Sequence, residues 1–80
     1  MANGIVFSEV QKRKYDYVRT TLTPLLRKVL NNDHYNAEYY VDRHGIEIVE
    51  VTFDSECPVR KVDVTADSLL AMTRDVLKTF

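Results

Sequence analysis

The run Ile46 to Phe53, Ile-Glu-Ile-Val-Glu-Val-Thr-Phe, constrains this chain more than any other stretch. It is dense in β-branched and aromatic residues, which suit a pleated and largely covered strand. Turn signals bound it on both sides: Asp42-Arg43-His44-Gly45 before, and Asp54 to Pro58 after. Its neighbours in sequence, Tyr35 to Val41 and Val59 to Val64, read as the strands that pair with it. A chain with such a centre, a helical pattern before it and a shorter one after it, is expected to be α+β. The order is α-β-β-β-α: a three-stranded antiparallel meander with two helices packed on one face.

The first helical pattern opens on Ser8-Glu9-Val10-Gln11, a capping box, with Phe7 where a hydrophobic staple residue stands. Val18, Leu22, Leu25, Leu26, Val29 and Leu30 then recur at spacings of three and four, and Tyr15 joins their face. Pro24 interrupts the pattern, because it lacks an N–H and its ring collides with the carbonyl four residues back. Either the helix runs through a kink, or two helices meet and Thr23 caps the second with Pro24 at its first position. The apolar face keeps its phase across the proline, which favours the kinked helix. Asn31, Asn32 and Asp33 end it. The second helix is expected to start at Thr65 or Asp67, with Leu69, Leu70, Met72, Thr73, Val76, Leu77 and Phe80 on its buried side.

Strand alternation assigns the faces of the sheet. Tyr35, Ala37, Tyr39 and Val41 share one face of the first strand, and Asn36, Glu38, Tyr40 and Asp42 the other. In the middle strand the adjacent pair Ile48-Val49 leaves two readings. Without a bulge, Val49, Val51 and Phe53 face the helices and Ile46 and Ile48 face out. With a bulge, Ile46, Ile48, Val51 and Phe53 face in and Val49 faces out. In the third strand Val62 and Val64 oppose Lys61 and Asp63. The expected core is Leu22, Leu26, Val29, Tyr39, Val51, Phe53, Val62, Leu69, Val76 and Leu77.

Eighty residues are expected to form one domain spanning 1–80, with Met1 to Gly4 frayed. A chain of this length buries only about 60–65% of its unfolded surface, which leaves little volume for a deep enzyme cleft. No run approaches a membrane span, and Met1 to Phe7 is too short and polar for a signal peptide. The single cysteine excludes an internal disulfide framework, so a cytoplasmic location is expected. Net charge is −1, unevenly spread: residues 1–30 carry six basic residues against two acids, and residues 31–80 five against ten.

The chemistry-bearing residues are sparse. His34, His44 and Cys57 fit no zinc spacing, and neither Gly4 nor Gly45 belongs to a phosphate-binding loop. Glu38, Glu47, Glu50 and Asp63 alternate with apolar residues, the pattern of a solvated sheet face. No cofactor, metal, small-molecule ligand or membrane partner is expected, and no catalytic constellation is present. Two binding surfaces stand out. One is the open sheet face, where Tyr40 is flanked by Glu38 and joined by Ile46 and Ile48, or by Val49 if the strand is bulged. An apolar centre with an acidic rim is the composition of a protein-binding patch, for a different partner or for a homodimer. The other is the basic side of helix 1, Lys12, Arg13, Arg19 and Arg27, which could follow a nucleic-acid backbone.

From Thr23-Pro24-Leu25-Leu26 through three strands to the last helix, residues 23–80, the order of elements resembles the double-stranded-RNA-binding domain. The chain departs from that family at Thr65-Ala66-Asp67-Ser68, where the family carries lysines, and it lacks the Gly-Pro-x-His loop, although Arg43-His44-Gly45 lies near that place. The resemblance is topological and carries no binding residue onto this chain. In size and acidity the chain is also similar in style to small accessory or inhibitor proteins of phages and mobile elements. A non-catalytic protein that acts by protein–protein interaction is therefore the expected function, with nucleic-acid binding as the alternative.

Overall fold

The computed structural model describes residues 7–80. The frayed end expected over Met1 to Gly4 lies outside the described residues. The architecture is the expected α-β-β-β-α arrangement with an antiparallel sheet in the order β1-β2-β3. No helix among the described residues is long and apolar enough to cross a membrane.

The capping box forms as its sequence requires. Gln11 N donates to Ser8 Oγ at 3.2 Å, and Ser8 N donates to Gln11 Oε1 at 3.0 Å. Helix α1 (Glu9–Tyr17) passes through one turn of π-helix (Val18–Leu22) into α2 (Thr23–Val29), and Tyr17, Leu22 and Thr23 all keep right-handed helical φ and ψ. The π turn resolves the Pro24 conflict. Thr23 N donates five residues back to Val18 O, so the ladder loosens just ahead of the residue that has no N–H to give. The rod stays continuous and no second N-cap forms.

The extra residue in that turn rotates everything after it by about 100° relative to an unbroken helix. Leu26 therefore follows Val18 and Leu22 into the core at intervals of four, and Thr23 turns inward. Val29, expected in the core from an unbroken period, is turned out and 56% exposed. The rod ends in a Schellman motif. Asn31 takes φ 53°, Asn31 N donates to Lys28 O and Asn32 N donates to Arg27 O.

Strands β1 (Tyr35–Val41) and β2 (Glu47–Phe53) pair without interruption from Tyr35↔Phe53 to Val41↔Glu47. The no-bulge reading of β2 is therefore the correct one, and Val49 is fully buried on the helix side. The irregularity lies across the other ladder, between Val51 and Thr52. There Val51 pairs with Arg60 and Thr52 with Pro58, leaving Val59 of β3 (Cys57–Asp63) as the additional residue. Gly45 supplies the positive φ of the first hairpin at 81°, and Asp42 Oδ1 accepts from both His44 N and Ile46 N. The second hairpin is tighter than expected, because Asp54 and Ser55 both adopt positive φ, and β3 begins at Cys57 rather than Val59.

The two sheet edges are finished differently. On β1, the Thr23 hydroxyl meets both Ala37 O and Ala37 N at 3.2 Å, and Arg27 Nε donates to Tyr35 O at 2.9 Å. Side chains of α2 thus satisfy the outer backbone of that edge. The β3 edge carries Pro58, the Val59 bulge and the exposed Arg60 and Lys61, features that discourage pairing with a further strand.

Helix α3 (Leu69–Leu77) starts later than expected. Its N-cap is Ser68, whose Oγ accepts from Ala71 N at 3.2 Å. Met72 and Val76 face the sheet, and Leu70, expected on that side, is 79% exposed because it lies one step off the stripe. The core comprises Val18, Leu22, Leu26, Ala37, Tyr39, Val49, Val51, Val64, Met72 and Val76, with Val62, Leu69 and Leu77 half-buried around it. Phe53, expected in the core, is half-buried beside the Tyr35 and His34 rings instead.

Candidate functional site

The face of the sheet turned away from the helices is set out by register and alternation. Tyr40 stands opposite Ile48, which stands opposite Asp63. The next row is Glu38, Glu50 and Lys61, and the last is Asn36, Thr52 and Pro58. Tyr40 and Ile48 are half-buried against each other's row, while Glu38, Lys61 and Asp63 are exposed. Ile46 lies just outside β2, at the end of the hairpin turn, and is exposed beside this face. Val49 does not belong to the site, since uninterrupted pairing with β1 keeps it on the core side.

One pair on this face works against the fold. Glu38 and Glu50 are direct cross-strand neighbours, and like charges so placed repel. Lys61 stands opposite Glu50, but neither glutamate forms an ion pair among the described residues.

The basic residues of the long helical rod do not form one face. Arg13 borders a small cavity of about 140 Å³ at the start of α3, together with Val10 and Leu69. Lys12 is exposed. Arg19 and Arg27 border a different and larger cleft, about 420 Å³, between the rod and β1. Arg19 is held 5.6 Å from the Tyr15 ring centroid, and Arg27 is braced against Tyr35 O and, through Nη2 at 2.6 Å, Asn36 Oδ1.

Against families and proteins already described, the chain stands apart: no protein-family model, no curated protein and no solved structure matches it.

A third cluster was not foreseen from the sequence. Lys14 is 3% exposed and Glu47 8% exposed, and they meet under the start of β2. Lys14 Nζ donates to Glu47 Oε1 at 2.8 Å and to Val64 O at 2.9 Å, and Tyr39 OH donates to the same Glu47 oxygen at 2.7 Å. Burial, then the Glu47 hydrogen bond and charge, hold the Tyr39 hydroxyl above its usual range. Glu47 was expected on the solvated face. Its parity with Val49 and Val51 puts it inside instead, where a lysine meets it. The signal was present: Lys14 stands four residues before Val18 on the core stripe, and Glu47 two before Val49. With every charge answered, this cluster is a closed structural element.

His34 and His44 are exposed, and His34 Nδ1 faces the Asp54 carboxylate. Cys57 is a free, exposed thiol. No group of three metal-ligating side chains converges among the described residues.

Proposed function

We propose that this protein is a non-catalytic binding protein that engages another protein through the open face of its sheet. The observation that carries the reading is the direct cross-strand pair Tyr40–Ile48, an apolar centre on an uncovered face with Glu38, Glu50 and Asp63 around it. An amphipathic tyrosine beside a β-branched residue, rimmed by charge, suits a contact that must be wet when free and dry when bound. The unanswered Glu38–Glu50 pair favours a partner with basic side chains over a second copy of this chain, because three acids against one lysine would oppose themselves face to face. An acidic surface of this kind also fits the accessory or inhibitor proteins of phages and mobile elements.

The test is a capture experiment with matched variants. A partner retained by the wild type should be lost with Tyr40→Glu and weakened by Glu38→Lys. It should be kept by Arg13→Ala, which lies on the other side of the molecule. Sedimentation of the wild type and Tyr40→Glu at about 100 μM separates self-association from a different partner, since a dimer of micromolar affinity would be evident there. Retention of every partner by Tyr40→Glu, with both proteins monomeric, would leave the open face as plain solvated surface.

A further inference from the structure

The cleft between the helical rod and β1 holds two arginines, Arg19 and Arg27, that form no ion pair among the described residues. The Arg27 guanidinium is half-buried and held by two neutral oxygens, Tyr35 O and Asn36 Oδ1, so its orientation is fixed while its charge is not cancelled. Arg19 is steadied by the face of Tyr15. Beyond Arg27 and Pro24 the groove continues into a second depression that Lys28 borders. The two depressions adjoin at Pro24 and Arg27, which line both. From Arg19 to Lys28 the rod beside this trough rises about 13 Å at 1.5 Å per residue. Glu38 lines the cleft beside the arginines, and Asp33 lines the second depression.

We infer that this trough is a binding site for a chain of successive phosphate groups. One guanidinium held by hydrogen bonds, a second resting beside a tyrosine ring, and an ammonium further along supply donors over a length that a single carboxylate would not use. The π turn contributes directly. By rotating α2 it brings Arg27 onto the β1 edge, in line with Arg19 and Thr23 at intervals of four. The site meets the open sheet face at Asn36 and Glu38, and its arginines lie outside that face. The shared chemistry is that of an oligophosphate or of the backbone of a single-stranded nucleic acid.

The test titrates the full chain at low ionic strength with tripolyphosphate and with a short single-stranded oligonucleotide, following the arginine Nε–H signals by NMR. Saturable shifts of the Arg19 and Arg27 signals are expected. Arg19→Ala, an exposed position whose loss leaves the fold intact, should weaken binding about tenfold, whereas Arg13→Ala should leave it unchanged. Arg27→Ala removes a brace on β1, so Arg19→Ala carries the test if that variant fails to fold. An oligonucleotide that binds more tightly than tripolyphosphate assigns the trough to nucleic acid, and the reverse order assigns it to free oligophosphates. Unmoved arginine signals at about 10 mM of both ligands, or equal weakening by Arg13→Ala and Arg19→Ala, overturns the inference, the latter because it signifies only diffuse charge.

Discussion

Lys14 and Arg27 lie on the same helical rod, on either side of the π turn, and both are withdrawn from water, yet their surroundings differ in kind. Lys14 meets a carboxylate, a tyrosine hydroxyl on that carboxylate, and a backbone carbonyl. Arg27 meets only neutral oxygens, with Arg19 on the same cleft. A cation whose charge is matched inside the fold is part of the scaffold. One that is oriented but unmatched keeps its charge available to something outside. The contrast separates structure from candidate function more sharply than the charge pattern of the sequence, in which each counts only as one positive charge.

The largest loss is expected at Lys14. Lys14→Met leaves the Glu47 carboxylate buried without its counter-charge and should cost about 3–5 kcal/mol in urea unfolding. The double variant Lys14→Met, Glu47→Leu should recover part of that loss, because no charge is then left unpaired, although Tyr39 OH and Val64 O lose their partners. A single variant within about 1 kcal/mol of the wild type would mean that water reaches Glu47 and that the site is not closed.

On the Arg27 side the bonds are neutral, and losses should be smaller. Thr23→Val keeps the shape but removes the hydroxyl that serves Ala37 N and Ala37 O. A cost of about 1–3 kcal/mol is expected, with faster hydrogen exchange at Ala37. Unchanged exchange would show that another donor finishes the β1 edge.

The π turn that separates the two environments can be tested by its effect on phase. Leu26→Ala should cost about 2–5 kcal/mol. Val29→Ala, predicted from the unbroken period to be equally damaging, should stay within about 0.5 kcal/mol, since that side chain is exposed. Equal costs would place Val29 in the core and remove the rotation that brings Arg27 to β1.

The sequence made the architecture legible because its strands alternate cleanly and its turns carry Gly45 and the Asp42 side chain where geometry demands them. The capping box at Ser8 was readable for the same reason, as a local rule with a local signature. Misreadings arose where a distant contact overrode a local pattern. Val29 obeys an unbroken helical period that Pro24 forbids, and only the π turn shows which way the conflict resolves. Glu47 looked solvated because carboxylates on strands usually are, and its partner lies 33 positions away. The Tyr40–Ile48 pair of the open face followed once β2 proved unbulged. The cleft with Arg19 and Arg27 did not, since a simple helical wheel groups them with Lys12 and Arg13.

The smallest effect sharpens the comparison from the Lys14 side. Asp67 borders the same small cavity as Lys14, and an available cation there should keep its carboxyl low. Instead the Asp67 carboxyl is raised, by burial first and then by the Asp75 carboxyl beside it, against a weaker pull from Lys14. Asp75 is lowered, chiefly by the neighbouring Asp67 carboxyl. The two carboxyls are thus pushed in opposite directions, with the charge of Lys14 already committed to Glu47. The sign of the pH dependence follows. A carboxyl raised in the folded state contributes stability that is complete below its unfolded pKa and is lost as pH rises through its folded pKa. Asp75 has the opposite sign, so the measurement belongs in an Asp75→Asn background, where burial still raises Asp67. There, Asp67→Asn should gain stability relative to its parent as pH increases from about 3 to 7, because asparagine has no proton to lose. A difference that stays flat, or that turns against the asparagine variant at higher pH, would show an ionised Asp67 supported by Lys14. The lysine would then hold charge in reserve, and its contrast with Arg27 would disappear.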